Sequence, residues 1–306
     1  MNKEALLIYN PCSGHKEVLL NLDYITSRVQ GMGYNLKIYR SKFSGSIEKY
    51  IIEKIDHSNT DMLIISGGDG TINECVNGMM KKKLDIPIGI LPLGTSNDFA
   101  HTLGISNKLP LALDLIEKNH LSPIDVGKAN EKYFINVCSM GVFSTVSQNI
   151  NLNIKNKFGK LAYYAKGFDA ISHYEAMELE VITSKESINE KFFLILVFNG
   201  KGAGGFMRLA NEANLSDGLF DIVCFKDVYF YDIPPLFFKV LQGEHLDNPH
   251  VIYFKANSLS IKNSTFSKSY CTDIDGEHGP ELPLNISVLS SALKVYTPPT
   301  SVSHIG

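Results

Sequence analysis

The run Ile64-Ile65-Ser66-Gly67-Gly68-Asp69-Gly70-Thr71-Ile72-Asn73-Glu74 leaves the backbone few choices. The apolar stretch Met62 to Ile65 has the length of a buried strand, and two glycines stop it. Beyond them Ile72, Cys75, Val76 and Met79 fall at the i, i+3, i+4, i+7 positions of a half-buried helix. Strand, glycine turn and helix follow one another, and such a turn presents backbone N–H groups at a helix N-terminus, where phosphate binds well. Asp69 sits among those donors. A carboxylate there repels an anion unless a cation lies between them, so the pattern points to a nucleotide phosphate with Mg²⁺. A plain glycine turn in which Asp69 caps a helix is the open alternative.

The turn belongs to an alternating series. Ala5 to Tyr9, Tyr34 to Tyr39, Met62 to Ile65 and Ile86 to Leu91 read as strands. The steps Val18-Leu22-Ile25-Val29-Met32, Ile47-Ile51-Ile55 and Leu111 to Ile116 read as helices between and after them. This βαβα order predicts a parallel sheet with helices on both faces. Near residue 126 the texture changes to strand-like runs separated by Gly, Asn and Asp. These are Tyr133 to Val137, Met177 to Thr183, Phe192 to Phe198, Phe220 to Phe225, Leu259 to Ile261 and Leu284 to Leu289. That is the pattern of an antiparallel sandwich, with helices expected at Leu161 to Ser172 and Ile233 to Leu241. The expected domains are residues 1–126 and 127–289, and the tail after Pro298 is expected to be disordered.

A length of 306 residues agrees with two domains, and 44% hydrophobic with 20% charged residues is ordinary for a soluble chain. The net charge of −3 gives no reason to expect a nucleic-acid partner. The longest apolar run, Phe192 to Phe198, is far short of the ~20 residues that span a bilayer. Ala5 to Tyr9 is too short for a signal-peptide core. Five cysteines (12, 75, 138, 224 and 271) form no CxxC pair. Reduced thiols in a cytoplasmic protein, packed as small hydrophobes, are expected, and zinc is not.

Other segments carry candidate chemistry. Asn10-Pro11-Cys12-Ser13-Gly14 follows the first strand, so Ser13 and Gly14 would offer donors to phosphate or simply cap a turn. In an open α/β sheet both this turn and the one at Gly67 lie at the C-terminal strand ends, where ligands bind. Thr95, Ser96, Asn97 and Asp98 are short and polar and suit phosphate, ribose or metal-bound water; Thr95 or Asn97 is also expected to cap the next helix. Asp217-Gly218 suits a hard cation or a hairpin turn. Asp273, Asp275 and Glu277 would share one face of a strand, and close like charges favour a general base; a solvated acidic turn is the alternative. The aromatics Tyr229, Phe230, Tyr231, Phe237 and Phe238 suit either core or contact with an acyl chain.

Together, Asn10 to Gly14, Gly67 to Thr71, Gly94 to Phe99, Asp217 to Asp221 and Asp275 to Glu277 resemble the diacylglycerol-kinase catalytic-domain family, in the family's order and over nearly the whole chain. The resemblance implies a soluble, cytoplasmic lipid kinase with ATP in a cleft between two domains. It also implies that the C-terminal strand, about 290–300, returns to the first domain. By motif, Asn10 to Gly14, Ser41, Gly67, Gly68, Asp69, Gly70, Thr71, Ile72, Asn73, Glu74, Thr95 and Asn97 would surround the nucleotide. Asp69, Asp98 and Asp125 would organise catalytic Mg²⁺ through water. Asn214, Asp217 and Leu219 would hold a structural Mg²⁺. Glu277, with Asp275 beside it, would take the proton from the acceptor hydroxyl. Departures at Ser41, His101 and Asn211 remove none of these ligands. A lipid substrate met at the membrane surface is implied, with Lys155, Lys157, Lys160 and Lys166 facing anionic lipid or solvent, and a homodimer is compatible with the pattern. The rivals are a NAD kinase, which shares the glycine turn, and a non-catalytic nucleotide- or lipid-binding regulator.

Overall fold

A computed structural model describes residues 3–14, 16–141, 176–201, 210, 213–229, 232–264, 270 and 272–299. The expected helix at Leu161 to Ser172 and the four lysines near it lie outside the described residues. So do Phe230, Tyr231, Asn211 and Cys271. The described residues form two compact units, one running to Ile124 and resuming at Ser291, the other Asp125–Ser290.

In the first unit β1 (Lys3–Tyr9) leads to α1 (Glu17–Leu20) and α2 (Leu22–Gly31). The periodicity predicts one helix here. The chain breaks it at Asn21, whose side-chain amide turns back to donate to the Glu17 carbonyl at 2.8 Å. Next come β2 (Tyr34–Arg40), α3 (Ser46–Lys54), β3 (Met62–Ser66), α4 (Asp69–Lys82) and β4 (Ile88–Leu91), then α5 (Asp98–Thr102) and α6 (Leu109–Glu117). β1 pairs in parallel with β2 and with β3, and β3 pairs in parallel with β4. The chain's last strand adds a parallel partner to β4 through Val295 and Ile88. Leu6, Leu7, Ile8 and all of Met62–Ile65 are buried, as expected where helices cover both faces of a parallel sheet.

The second unit is built from β5 (Leu121–Ala129, of which Asp125 onward belongs here), β6 (Lys132–Phe134), β7 (Val137–Gly141), β8 (Met177–Ile182), β9 (Ser187–Phe198) and β10 (Phe220–Lys226). After α7 (Ile233–Gln242) follow β11 (Val251–Ala256), β12 (Ser258–Asn263), β13 (Thr272–Ile274), β14 (Glu277–His278) and β15 (Leu284–Tyr296). Its described pairings with a stated register are antiparallel. The N-terminal half of β9 pairs with β8 and its C-terminal half with β7, while β10 lies along its other edge. Phe192–Phe198 is buried throughout because both faces of β9 are covered. Phe192, Ile195 and Val197 enter one core with Phe134, Phe220, Ile261 and Leu284. Leu194, Leu196 and Phe198 enter another with Val223, Phe225 and the α7 residues Ile233 and Leu236. A continuous apolar run is the mark of a strand buried on both sides.

One expected strand, Tyr133 to Val137, is two. β6 ends at Phe134 and β7 begins at Val137, because the amides between them leave the ladder for a side chain described below. Phe134 anchors the first core: it is fully buried, stacks on Phe220 with ring centroids 5.5 Å apart, and lies over Gly127, where an added Cβ would meet the ring at 2.2 Å. Phe134→Ala is expected to lower unfolding free energy by roughly 3–5 kcal/mol in urea titrations; a loss below about 1 kcal/mol would deny Phe134 this anchoring role.

Candidate active site

Three loops at the C-terminal ends of parallel strands meet in the first unit. Asn10 follows β1 and donates its N–H to the Ser66 carbonyl at the end of β3, at 3.1 Å. Its side-chain oxygen accepts the Cys12 N–H at 2.9 Å, so Asn10 shapes the loop while Cys12 stays exposed. Gly67 and Gly68 end β3, and the loop after β4 brings Gly94 so close that an added Cβ would stand 2.3 Å from the Gly68 Cα. Only glycine permits that approach. A Cβ built on Gly68 would lie 3.8 Å from the Ser13 hydroxyl and 4.0 Å from the Thr95 amide nitrogen. Hydroxyl and amide donors therefore converge over the N-terminus of α4, where Gly68 is the N-cap and supplies no side-chain cap. A phosphate fits such a cradle.

Asp69 does two things with one carboxylate. Its oxygens accept the N–H groups of Asp98 at 3.1 Å and Phe99 at 3.0 Å, so it caps α5 from a neighbouring loop. Each oxygen keeps a second lone pair, which suits a water bound to a cation. Asn97 is the N-cap residue of α5 but makes no cap bond. At φ +56° its side chain turns back, accepting from the Gly94 N–H at 3.0 Å and donating to the carbonyls of Pro92 and Gly94. Glu74, further along α4, accepts the Ile47 N–H of α3 at 3.2 Å. Ser41 holds the end of β2 to β1 by donating its N–H to the Tyr9 carbonyl at 2.9 Å. Thr71, Ile72, Asn73 and Asp98 are buried, and Gly70 and Thr95 are exposed.

The second unit holds the remaining candidates. Asp273, Asp275 and Glu277 do not share a strand face. Asp275 (φ +52°) and Gly276 (φ +88°) are the central residues of a two-residue hairpin between β13 and β14, a turn that Asp-Gly favours. Asp275 then points away from Glu277's strand: its oxygens accept the N–H groups of Ile135 at 2.8 Å, Asn136 at 2.9 Å and Val137 at 2.9 Å. Glu277 is exposed on β14.

Asp125, fully buried in β5, accepts the Gly218 N–H at 2.8 Å and donates its own N–H to the Leu215 carbonyl at 2.7 Å. It is thus fastened to the turn that carries Asn214, Asp217 and Leu219. Asp217 accepts the Leu219 N–H at 3.0 Å, and its other oxygen lies 4.0 Å from the Lys255 ammonium. Asn214 turns its side-chain oxygen to Ser216. One carboxylate with loop carbonyls is a donor set that Mg²⁺ accepts together with water. Among the described residues no three His, Cys, Asp or Glu side chains gather to hold a metal without such help.

The 135–137 amides, Asn199 and Lys255, which tie these parts together, carry no motif in the sequence, because their roles depend on strand register. Asp221, the last residue of the Asp217–Asp221 segment, is fully buried and accepts from the Tyr253 hydroxyl, with the Lys255 ammonium at 3.5 Å. The cysteine expectation also divides. Cys75, Cys138 and Cys224 are buried free thiols, and burial pushes the Cys224 thiol up to about 12, but Cys12 is exposed.

A diacylglycerol kinase catalytic domain model matches residues 4–129, and a YegS C-terminal NAD kinase beta sandwich-like domain model matches residues 136–297. The chain is 33% identical over 298 residues to a diacylglycerol kinase of Staphylococcus aureus, covering 97% of this chain and 93% of that one. It is 31% identical to one of Staphylococcus saprophyticus, covering 97% and 96%. A solved diacylglycerol kinase structure from Bacillus anthracis superposes with a TM-score of 0.76 at 26% identity, covering 97% of each chain. A second structure from that organism gives 0.83 at 29% identity, covering 97% of this chain and 96% of that one. The chain belongs to the diacylglycerol kinase catalytic-domain family, a family of lipid kinases. The NAD kinase alternative fits less well: the sandwich is shared, but the relatives are diacylglycerol kinases. No helix among the described residues is long and apolar enough to cross a membrane.

The capping role of Asp69 has a measurable consequence. Asp69→Ala removes both acceptors and should lower unfolding free energy by roughly 1–2 kcal/mol, with Asp69→Asn losing less. An unchanged denaturation midpoint in Asp69→Ala would show that α5 does not need this cap.

Proposed function

We propose that the protein transfers the γ-phosphoryl group of ATP to the free hydroxyl of diacylglycerol, giving phosphatidic acid. The observation that carries the proposal is the meeting of three glycine loops, which aims Ser13, the Thr95 amide and the N-terminus of α4 at one spot. Phosphoryl transfer asks mainly for positioning and charge neutralisation, and backbone donors supply both without covalent chemistry. Asp69, Asp98 and Asp125 are the carboxylates assigned to catalytic Mg²⁺ through water, and Asp217 with the Asn214 and Leu219 carbonyls to a structural one. Bound there, Mg²⁺ would offset negative charge on the phosphates. Glu277 takes the hydroxyl proton, the alkoxide oxygen bonds to the γ-phosphorus, and the bond to the ADP oxygen breaks. An exposed carboxylate on a hairpin is reachable by a lipid headgroup. Asp275 is reassigned from catalysis to positioning, since its oxygens already accept three amides. A bulky apolar acceptor implies encounter at a membrane surface.

Transfer of labelled phosphate from ATP to dispersed lipids tests the reading. Diacylglycerol should become labelled in the presence of Mg²⁺; label on NAD, or ATP consumption indifferent to lipid, rejects it. Glu277→Gln should cut turnover by about 10²–10⁴-fold while ATP affinity stays within about twofold, and retained turnover removes Glu277 from the proton step. Cys12 gives a test independent of turnover. ATP with Mg²⁺ should slow alkylation of this exposed thiol, read by peptide mass mapping, and an unchanged rate would place the nucleotide away from the Asn10–Gly14 loop.

A further inference from the structure

Asn199 stands directly after β9, is 1% exposed, and belongs to none of the segments that carry the family motifs. Its side-chain amide donates to two carbonyls, Asp125 at 2.9 Å and Ile135 at 3.1 Å. Its backbone N–H donates to the Asn136 carbonyl at 2.9 Å. Asp125 is the carboxylate fastened to the Asp217 turn through Gly218, and Ile135 and Asn136 are two of the residues whose amides hold Asp275. A continuous chain of hydrogen bonds therefore runs from the Glu277 hairpin, through Asp275 and residues 135–137, across Asn199, to Asp125 and the Asp217 turn. Its side-chain oxygen is buried, with no hydrogen-bond partner among the described residues. An apolar residue of the same size would leave both carbonyls without these donors.

We infer that Asn199 is a positioning residue that sets the spacing between Asp125 and the Asp275–Glu277 hairpin, so that the proton acceptor and the metal-directed carboxylate are held in one geometry. The inference rests on the proposed kinase reaction for its catalytic consequence but not for its structural one. The chemistry is specific. Two facing carbonyl oxygens need two N–H donors from one planar group; a carboxylate donates nothing, and a leucine donates nothing. A clamp of this kind acts on turnover rather than on nucleotide capture, because it governs where Asp125 and Glu277 stand, and its described hydrogen bonds join residues of the second unit.

Two readouts test it. In hydrogen exchange, Asn199→Leu should speed exchange of the 135–137 and Gly218 amides by at least about tenfold while amides in the β8–β12 ladder keep their rates. Uniform acceleration, or none, overturns the clamp, whether or not the protein phosphorylates lipid. In kinetics, Asn199→Leu should lower kcat by about tenfold or more with KM for ATP within about twofold. Asn199→Asp keeps the size of the side chain and carries the test if the leucine variant does not fold. Its carboxylate offers no N–H to the carbonyls of Asp125 and Ile135, so the same local exchange and the same fall in kcat are expected. Wild-type kcat in Asn199→Leu or Asn199→Asp overturns the inference. Absent lipid-dependent turnover in the wild type instead rejects the kinase reading and leaves the exchange result to decide the clamp.

Discussion

Three backbone N–H groups directed at the Asp275 carboxylate fix the break between two strands of the second unit and the hairpin that answers it. Residues 135–137 interrupt what would otherwise be one strand, and buried amides that leave a ladder must find other acceptors or cost about 1–3 kcal/mol each. Asp275 supplies those acceptors, but reaching them requires a tight hairpin with positive φ at both central residues. The break between β6 and β7 and the turn before Glu277 are thus one solution to one hydrogen-bonding problem. The Asn199 side chain extends that solution to Asp125, giving the polar centre of the unit a fixed framework inside two apolar cores.

The first unit uses carboxylates in a related way. Helix α4 begins at the glycine turn and sends Asp69 to the N-terminus of α5 and Glu74 to that of α3. Both interactions pair a negative side chain with the positive end of a helix. The N-terminus of α4 itself has no side-chain cap and lies beneath the Ser13 hydroxyl and the Thr95 amide. Two helix ends are neutralised from within the protein, and the third has no side-chain cap, which suits the proposed phosphate. The close contact of Gly68 with Gly94 makes that arrangement possible, since a Cβ on Gly94 would drive the two loops apart.

Much of this was legible in the sequence, and what was not has a common cause. The β1–α4 series and the strand–turn–helix at Gly67 follow from local periodicity, and periodicity survives folding when a face is buried. Phe192–Phe198 reads as a strand because its apolar run matches burial on both faces. The failures fall where a side-chain hydrogen bond overrides the local pattern. Asn21 splits a helix that hydrophobic spacing would continue. Asp275 turns a supposed strand of three carboxylates into a hairpin. Asn97 was expected as a cap, but the cap of α5 comes from Asp69, 29 positions away in sequence. Asn199 carried no signal beyond an Asn-Gly pair after an apolar run, which indicates a turn and says nothing of the two carbonyls it reaches.

The distribution of acceptors narrows the chemistry further. Asp69, Asp125 and Asp275 each accept at least one backbone amide, so their lone pairs are partly committed and their positions are fixed. Such carboxylates suit the static task of orienting a hydrated cation or a loop, where rigidity helps and proton transfer is not asked of them. Glu277 is different: it sits past the turn, exposed on a two-residue strand and paired through its backbone position with Ile274. The proposed proton acceptor needs access more than burial, and Glu277 is the one exposed carboxylate of the Asp273–Glu277 stretch, while Asp273 and Asp275 accept backbone amides.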